Sequence, residues 1–312
     1  MCNIKRILQA VSVAMACLPG LVGCEATKGN DSRPMVLCTT SIVADAVQRV
    51  GGESVRVETM MPPGVDPHRY QPTGSDAAKL RKAHLIFHNG LHLEGKMADM
   101  FEKSGTRAVA VTKTIDRNEL RKADEDFPEA YDPHVWFDVK LWKKAVECVR
   151  DELCTFDPDH AASFQENAAA YLKELDALDE EIRAKAASLP ADRRILVTSH
   201  DAFGYFGRAY GFEVHGLQGV STASEVASTE RVELARLLGE KKVRAVFSET
   251  SVPEEGLKAV LETARKDWGH PVRLVGEGAL YSDSLGPVDS AGATYPGMFR
   301  HNIDTIVDAL SK

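Results

Sequence analysis

Pro158 and Pro190 bracket 31 residues, 159–189, that contain neither glycine nor proline. Within them Phe164, Ala168, Tyr171, Leu172, Leu175, Leu178, Ile182, Ala186 and Leu189 recur at intervals of three and four. That spacing gathers the apolar side chains on one face of a helix. At 1.5 Å per residue the helix is roughly 45 Å long. It can therefore tie two domains together or run through the core of one. A chain of 312 residues, 44% hydrophobic and 27% charged, has globular composition and a length that favours two domains.

On both sides of this helix the chain alternates strand with helix. Before it come the strand "MVLCTT", the helix "SIVADAVQRVGG" with Ser41 as its cap, and the strand "SVRVETM". A Pro/Gly-rich loop, "MPPGVDPHRYQPTG", leads to a helix near 75–83, the strand "LIFHNG", a helix over 94–104 and the strand "RAVAVT". An acidic loop over 116–131 precedes the helix "DVKLWKKAVECVRDELCTF". After Pro190 the strands "RILVTS", "FEVHGLQGV", "VRAVFSET" and "PVRLVGE" alternate with helices. One of those, "STERVELARLLGEKK", opens with Ser-x-x-Arg rather than a capping box. The last helix covers 295–310. Such alternation implies parallel pairing with helices on both faces. The segments "LCTTSIVADAVQRVGGESVRVETM" and "LVTSHDAFGYFGRAYGFEVHGLQG" echo each other in element order. The expected fold is thus α/β. Two βα lobes, 34–158 and 190–312, each carry a mostly parallel four-stranded sheet, and the helix over 159–189 joins them.

Residues 1–24 belong to neither lobe. Lys5 and Arg6 precede the apolar run "ILQAVSVAMACL", which is short for a membrane span, and "LVGC" follows. This resembles a bacterial lipobox, which implies cleavage before Cys24 and lipid on that cysteine; the competing reading is a cut after Ala16. Two acyl chains anchor far better than one, so a periplasmic or cell-surface location at a membrane is expected. Cleavage moves the net charge from −8 to −10, because it removes Lys5 and Arg6 and no acid. An acidic balance argues against a nucleic-acid partner and suits a handler of cations. Cys38, Cys148 and Cys154 are expected as buried free thiols, since 148 and 154 point to different sides of one helix.

Of ten histidines, three follow predicted strands in loops, where ligand sites gather in open α/β sheets. They are His68, His134 and His200. His68 and His134 stand in two copies of Asp-Pro-His. Pro67 and Pro133 fix φ and lack an N–H. A histidine behind each is presented from a stiffened loop, and Asp66 or Asp132 can accept a hydrogen bond from a loop N–H or a ligand ring. His84, His88 and His92 are spaced by four, but "HLIFHNGLH" is β-like and Asn89-Gly90 breaks it. His160, His215, His270 and His301 are isolated. A fourth group from the second lobe would come from "GALYSDSLG", where Asp283 is the only carboxylate. Local sequence reads it equally well as a turn aspartate.

The motifs "GVDPHRYQPT", "NGLHLE", "DPHVWFDV", "TSHDAFGYF", "GLQGVSTASE" and "FSETSVPE" lie in one order from about residue 34 to 310. In that order the chain resembles the zinc/manganese substrate-binding lipoproteins of ABC importers, the cluster A-I family. The resemblance implies a divalent cation held between the lobes by His68, His134, His200 and Asp283. It places Asp66, Asp132 and Glu249 behind them. It also implies delivery to a membrane permease and its ATPase by a monomeric carrier that is not an enzyme. Manganese-selective members look as though they put Glu where this chain has His200, and the loop over 116–131 lacks the histidines of some zinc-specific members. Three imidazoles and a carboxylate suit Zn2+ better than the harder Mn2+, with Mn2+ left open as a second cargo. Two other readings are weighed beside the carrier. One is a zinc hydrolase with Glu225 or Glu249 as base, though no HExxH occurs. The other is a surface adhesin with a structural metal.

Overall fold

The structure is a computed structural model that describes residues 32–123 and 130–312. Cys24 and the leader lie outside the described residues. Four strands, β1 (Met35–Thr40), β2 (Arg56–Met61), β3 (Leu85–His88) and β4 (Ala108–Ala110), form a parallel sheet in the order β2-β1-β3-β4. Four more, β5 (Ile195–His200), β6 (Glu213–Gln218), β7 (Ala245–Glu249) and β8 (Arg273–Leu280), form a second in the order β6-β5-β7-β8. The two lobes share one topology, and both sheets are wholly parallel. In each, the strand order reverses beside the first strand, which opens a crevice at the carboxyl ends there. All six residues of β1 and all five of β7 are buried, as expected of strands covered on both faces.

The helices are α1 (Ser41–Gly51), α2 (Gly74–Lys82), α3 (Ala98–Ser104), α4 (Val139–Phe156), α5 (Ala161–Ala187), α6 (Gly204–Tyr210), α7 (Ser228–Glu240), α8 (Glu255–Trp268) and α9 (Tyr295–Ser311). Several ends differ from expectation for local reasons. Thr40, not Ser41, caps α1: its Oγ1 accepts the Val43 N–H at 3.3 Å. Ser41 Oγ instead accepts the Leu285 N–H from the second lobe at 2.9 Å. The helix expected over 94–104 opens as a 3-10 turn, Gly95–Met97, before α3. The strand "RAVAVT" stops at Ala110 and continues as a 3-10 turn, Val111–Thr114. At α7 the Glu230 carboxylate accepts the Ala227 N–H at 2.6 Å, half of a capping box that alanine cannot complete. Cys38 and Cys148 are buried free thiols, whereas Cys154 is only half-buried.

Helix α5 buries Phe164, Ala168, Tyr171, Leu175, Leu178, Ile182 and Ala186. It packs on α1 and α4 of the first lobe and on α6 and α9 of the second. Around it one apolar core runs without a break from Val36 and Phe87 through Trp136, Phe137 and Leu178 to Phe203, Phe247 and Phe299. At the lobe junction the Phe137 ring lies 4.3 Å from Phe203 and 5.9 Å from Phe299, centroid to centroid. Two smaller clusters cover the outer sheet faces. Leu37, Met61, Leu80 and Ile86 belong to the first lobe, and Val197, Leu238, Val246 and Val260 to the second.

Because the junction is core, Phe137→Ala is expected to cost about 3–5 kcal/mol. Urea unfolding should show one earlier transition, with circular dichroism and tryptophan fluorescence coincident. Two separated transitions would mean that the lobes unfold independently.

Candidate metal centre

Both Asp-Pro-His segments fold as turns closed by the aspartate. Asp66 Oδ1 accepts the His68 N–H at 2.8 Å and the Arg69 N–H at 3.3 Å. Asp132 Oδ1 accepts the His134 N–H at 2.9 Å. Proline between them has no N–H to offer, so the carboxylate reaches past it to the histidine. His68 follows β2 and His134 immediately precedes a 3-10 turn, Val135–Phe137. His200 is not in a loop, as expected from sequence, but is the last residue of β5. Its N–H is donated to Oε1 of Glu249, the last residue of β7, at 2.9 Å.

Asp283 lies in the loop after β8, and that loop is tied to the first lobe on both sides of the carboxylate. Ser282 O accepts the Trp136 indole N–H at 2.9 Å. Ser284 Oγ accepts the Gly64 N–H at 2.8 Å, and the Leu285 N–H reaches Ser41.

These four side chains converge, two from each lobe, with one donor atom of each within 4.8 Å of all the others. His68 Nε2 and His134 Nε2 are 3.2 Å apart. Asp283 stands 3.3 Å from His200 Nε2, 3.4 Å from His134 Nε2 and 3.9 Å from His68 Nε2. Donors bound tetrahedrally at 2.0–2.1 Å would be separated by roughly 3.3 Å. Three of these separations are close to that edge, and all four donors lie within 4.8 Å, so one small divalent cation can reach them all. His134, His200 and Asp283 are at most 1% exposed and His68 is 8% exposed. His200 Nε2 and both Asp283 oxygens are buried without a hydrogen-bond partner. Such atoms cost about 1–3 kcal/mol each when left unsatisfied, and a cation among them satisfies all three.

Carboxylates stand behind two of the rings. Asp132 Oδ1 is 2.8 Å from His134 Nδ1, and its Oδ2 accepts from Arg121 at 2.7 Å. Glu249 Oε2 is 2.6 Å from His200 Nδ1. The Asp132 contact holds Nδ1 of His134 protonated and turns its Nε2 towards the centre, and the Glu249 carboxylate lies against the same side of the His200 ring. Asp66 does not back the His68 ring; its second oxygen accepts from Thr222 Oγ1 of the other lobe at 2.6 Å.

The remaining histidines are elsewhere. His84 Nδ1 accepts the Met35 N–H, His88 lies against Phe101, and His92 is exposed. His160, His215 and His270 pair with Asp157, Glu213 and the Val243 carbonyl, and His301 lies against Tyr281. Sequence reasoning missed Arg121. Its guanidinium fills the space where a Cβ on Gly204 would sit, so it passes from the first lobe to α6 of the second through a gap that only glycine leaves. No periodicity or motif marks Arg121; a glycine at the start of α6 was the sole trace.

Residues 36–309 match the family described as zinc-uptake complex component A, periplasmic. The chain belongs to this family. Its members are transport components rather than enzymes. Zinc-binding protein TroA of Treponema pallidum (strain Nichols) is 45% identical over 313 residues, 99% of this chain and 100% of its own length. Manganese-binding lipoprotein MntA of Bacillus subtilis (strain 168) is 44% identical over 308 residues, 98% of this chain and 99% of its own. The solved structure of the periplasmic zinc-binding protein TroA from Treponema pallidum superposes with a TM-score of 0.86 at 46% identity, covering 90% of this chain and all of that one. Family and fold thus agree on two parallel lobes about one long helix.

Protonation of the centre follows from its burial and its charges. Burial lowers His68 to about 3 despite Asp283. Burial also pulls on His134, but Asp132 and Asp283 together outweigh it and raise that ring to about 9. At His200 burial is outweighed by Glu249 and Asp283, which hold it well above its ordinary value. Burial pushes Asp283 up, yet the surrounding rings, His200 foremost, hold it well below the carboxylate range. At pH 7 His134 and His200 therefore carry a proton on Nε2 that a cation must displace. Loading should release about two protons per ion. Affinity should rise with pH through about 9 as the competing proton leaves His134, and again wherever His200, also held above its ordinary value, loses its own. Zinc titration calorimetry in buffers of different ionisation enthalpy checks the proton count; zero released protons would contradict this electrostatic picture.

Proposed function

We propose that the protein is the extracytoplasmic carrier of a metal importer. It captures Zn2+ between its lobes through His68, His134, His200 and Asp283 and hands the ion to a membrane permease driven by its ATPase. The observation that carries this reading is the convergence of four buried donors, two from each lobe, within 4.8 Å of one another. Four protein donors close a tetrahedral site, whereas a catalytic zinc keeps one position open for water. Glu249 is engaged by His200, which removes it as a free base. Both considerations favour a carrier over a hydrolase.

The names of the relatives, one zinc-binding and one manganese-binding, support Zn2+ as principal cargo with Mn2+ as a second. The lipoprotein name of a relative supports a leader over residues 1–24 and a lipid on Cys24, which anchors the carrier at the outer side of a membrane. Residues 34–158 and 190–312 serve as the two metal-binding lobes and 159–189 as their connection. The carrier acts as a monomer: among the described residues the exposed large apolar side chains, Val232, Trp268 and Val288, lie far apart in sequence, on α7, at the end of α8 and in the 286–290 loop.

Competition titration of the purified protein with zinc and manganese tests the cargo. Zinc is expected to bind more tightly, and His200→Glu, which exchanges an imidazole for a harder oxygen donor, should shift the ratio of affinities towards manganese. An unchanged ratio would remove His200 from the selectivity.

Loading should tighten loops rather than swing lobes, because α5 and the aromatic junction leave no flexible hinge. Hydrogen exchange with and without zinc should show protection concentrated in residues 62–73 and 278–292. Protection spread evenly through both lobes would point to rigid-body closure.

A further inference from the structure

Of the four converging side chains, His68 alone borders a recess of about 470 Å³. Both lobes wall it. Leu91, His92 and Tyr131 come from the first, and Gln218, Ser221 and Glu225 from the second. The other three donors lie behind His68, at most 1% exposed.

Part of the first-lobe wall is a turn in an unfavourable backbone conformation. Gly90, Leu91 and His92 have φ of 88°, 53° and 64° in succession. Glycine adopts this left-handed region freely, but leucine and histidine do so at a cost. Two such residues in a row persist only where the surroundings impose them.

The surroundings here are explicit. Glu94, 5% exposed, accepts the Asn89 N–H at 2.7 Å, the Gly90 N–H at 3.2 Å and the Thr39 hydroxyl at 2.6 Å. Asn89 Nδ2 donates to the Pro133 carbonyl, next to His134, at 3.0 Å. A Cβ on Gly90 would meet Ala110 Cβ and Thr112 Oγ1 at 2.8 Å.

The outcome of this scaffolding is an exposed imidazole at the rim of the recess. The same turn buries Leu93, while the exposed His92 ring makes no hydrogen bond or ion pair among the described residues. Strain held by a buried carboxylate and spent on presenting a free ring points to a use for that ring.

We propose that the recess over His68 is the route by which the cation reaches and leaves the centre. His92 and the Glu225 carboxylate, on opposite walls of the recess, are successive transient contacts for the partly hydrated divalent ion before it passes to His68. This rests on the carrier reading given above. A hydrated dication sheds water in steps, and a nitrogen and an oxygen donor at the mouth replace the first waters before the dry centre replaces the rest. A carboxylate at the mouth also raises the local concentration of cations.

The test is kinetic, because a residue on the route changes rates without changing the bound state. His92→Asn removes the imidazole while keeping a residue that tolerates the left-handed backbone. Ser221→Trp narrows the mouth from the other lobe. Stopped-flow uptake of zinc chloride and release of zinc to excess EDTA, in the full chain, should both slow by about tenfold in each variant, with Kd within about twofold of wild type. Wild-type rates in both variants, or a weakened Kd with an unchanged association rate, would overturn the proposal and leave the carrier reading standing. Failure of the wild type to take up zinc would instead remove the carrier reading, and this route with it.

Discussion

A carboxylate and three imidazoles share one dry crevice, and the rest of the molecule is arranged to keep them there. Asp283 is held ionised while almost wholly buried, with His200 Nε2 and His134 Nε2 at 3.3 and 3.4 Å from its oxygens. Burying such a charge is tolerable only opposite positive charge. In the metal-free protein the protonated rings of His134 and His200 supply it; in the proposed loaded state the cation does. The centre therefore exchanges one kind of compensation for another.

Holding two donors on each lobe at these distances requires that the lobes not drift. The aromatic junction of Phe137, Phe203 and Phe299 and the shared helix α5 meet that requirement with an ordinary hydrophobic core. Polar ties then set the fine geometry. Tyr205 Oη receives the Arg121 N–H and donates to the Asp132 carbonyl, so a second-lobe side chain braces the backbone of the Asp-Pro-His turn that carries His134. Apolar burial brings the lobes together, and a few directional bonds decide where the donor atoms stop.

The alternation of strands and helices and the long periodic helix were legible because they are local patterns. Each lobe's four parallel strands and the connecting helix follow from them. The histidines of the two Asp-Pro-His turns stood out because proline forces the aspartate to bond beyond it, a relation contained in three residues. Asp283 was different. Nothing in "SDSLG" separates a buried carboxylate from a turn aspartate, and only the folded structure brings Asp283 beside the three histidines. Ser41 read as a cap because Ser at a strand–helix junction usually is one; the role went to Thr40 because Ser41 is engaged by Leu285, 244 positions away. The same holds for Arg121 over Gly204 and for the left-handed turn at Leu91 and His92. Contacts between distant segments impose these features, and no local rule encodes them.

Asp66 divides its carboxylate between two tasks. One oxygen fixes the backbone N–H of His68 and the other holds Thr222 of the opposite lobe. A single rigid group thus couples the orientation of a ring to the seam between the halves of the molecule. The backbone that presents His68 is therefore pinned to the second lobe by the same carboxylate that closes its turn, so its placement and that of Thr222 cannot be set independently.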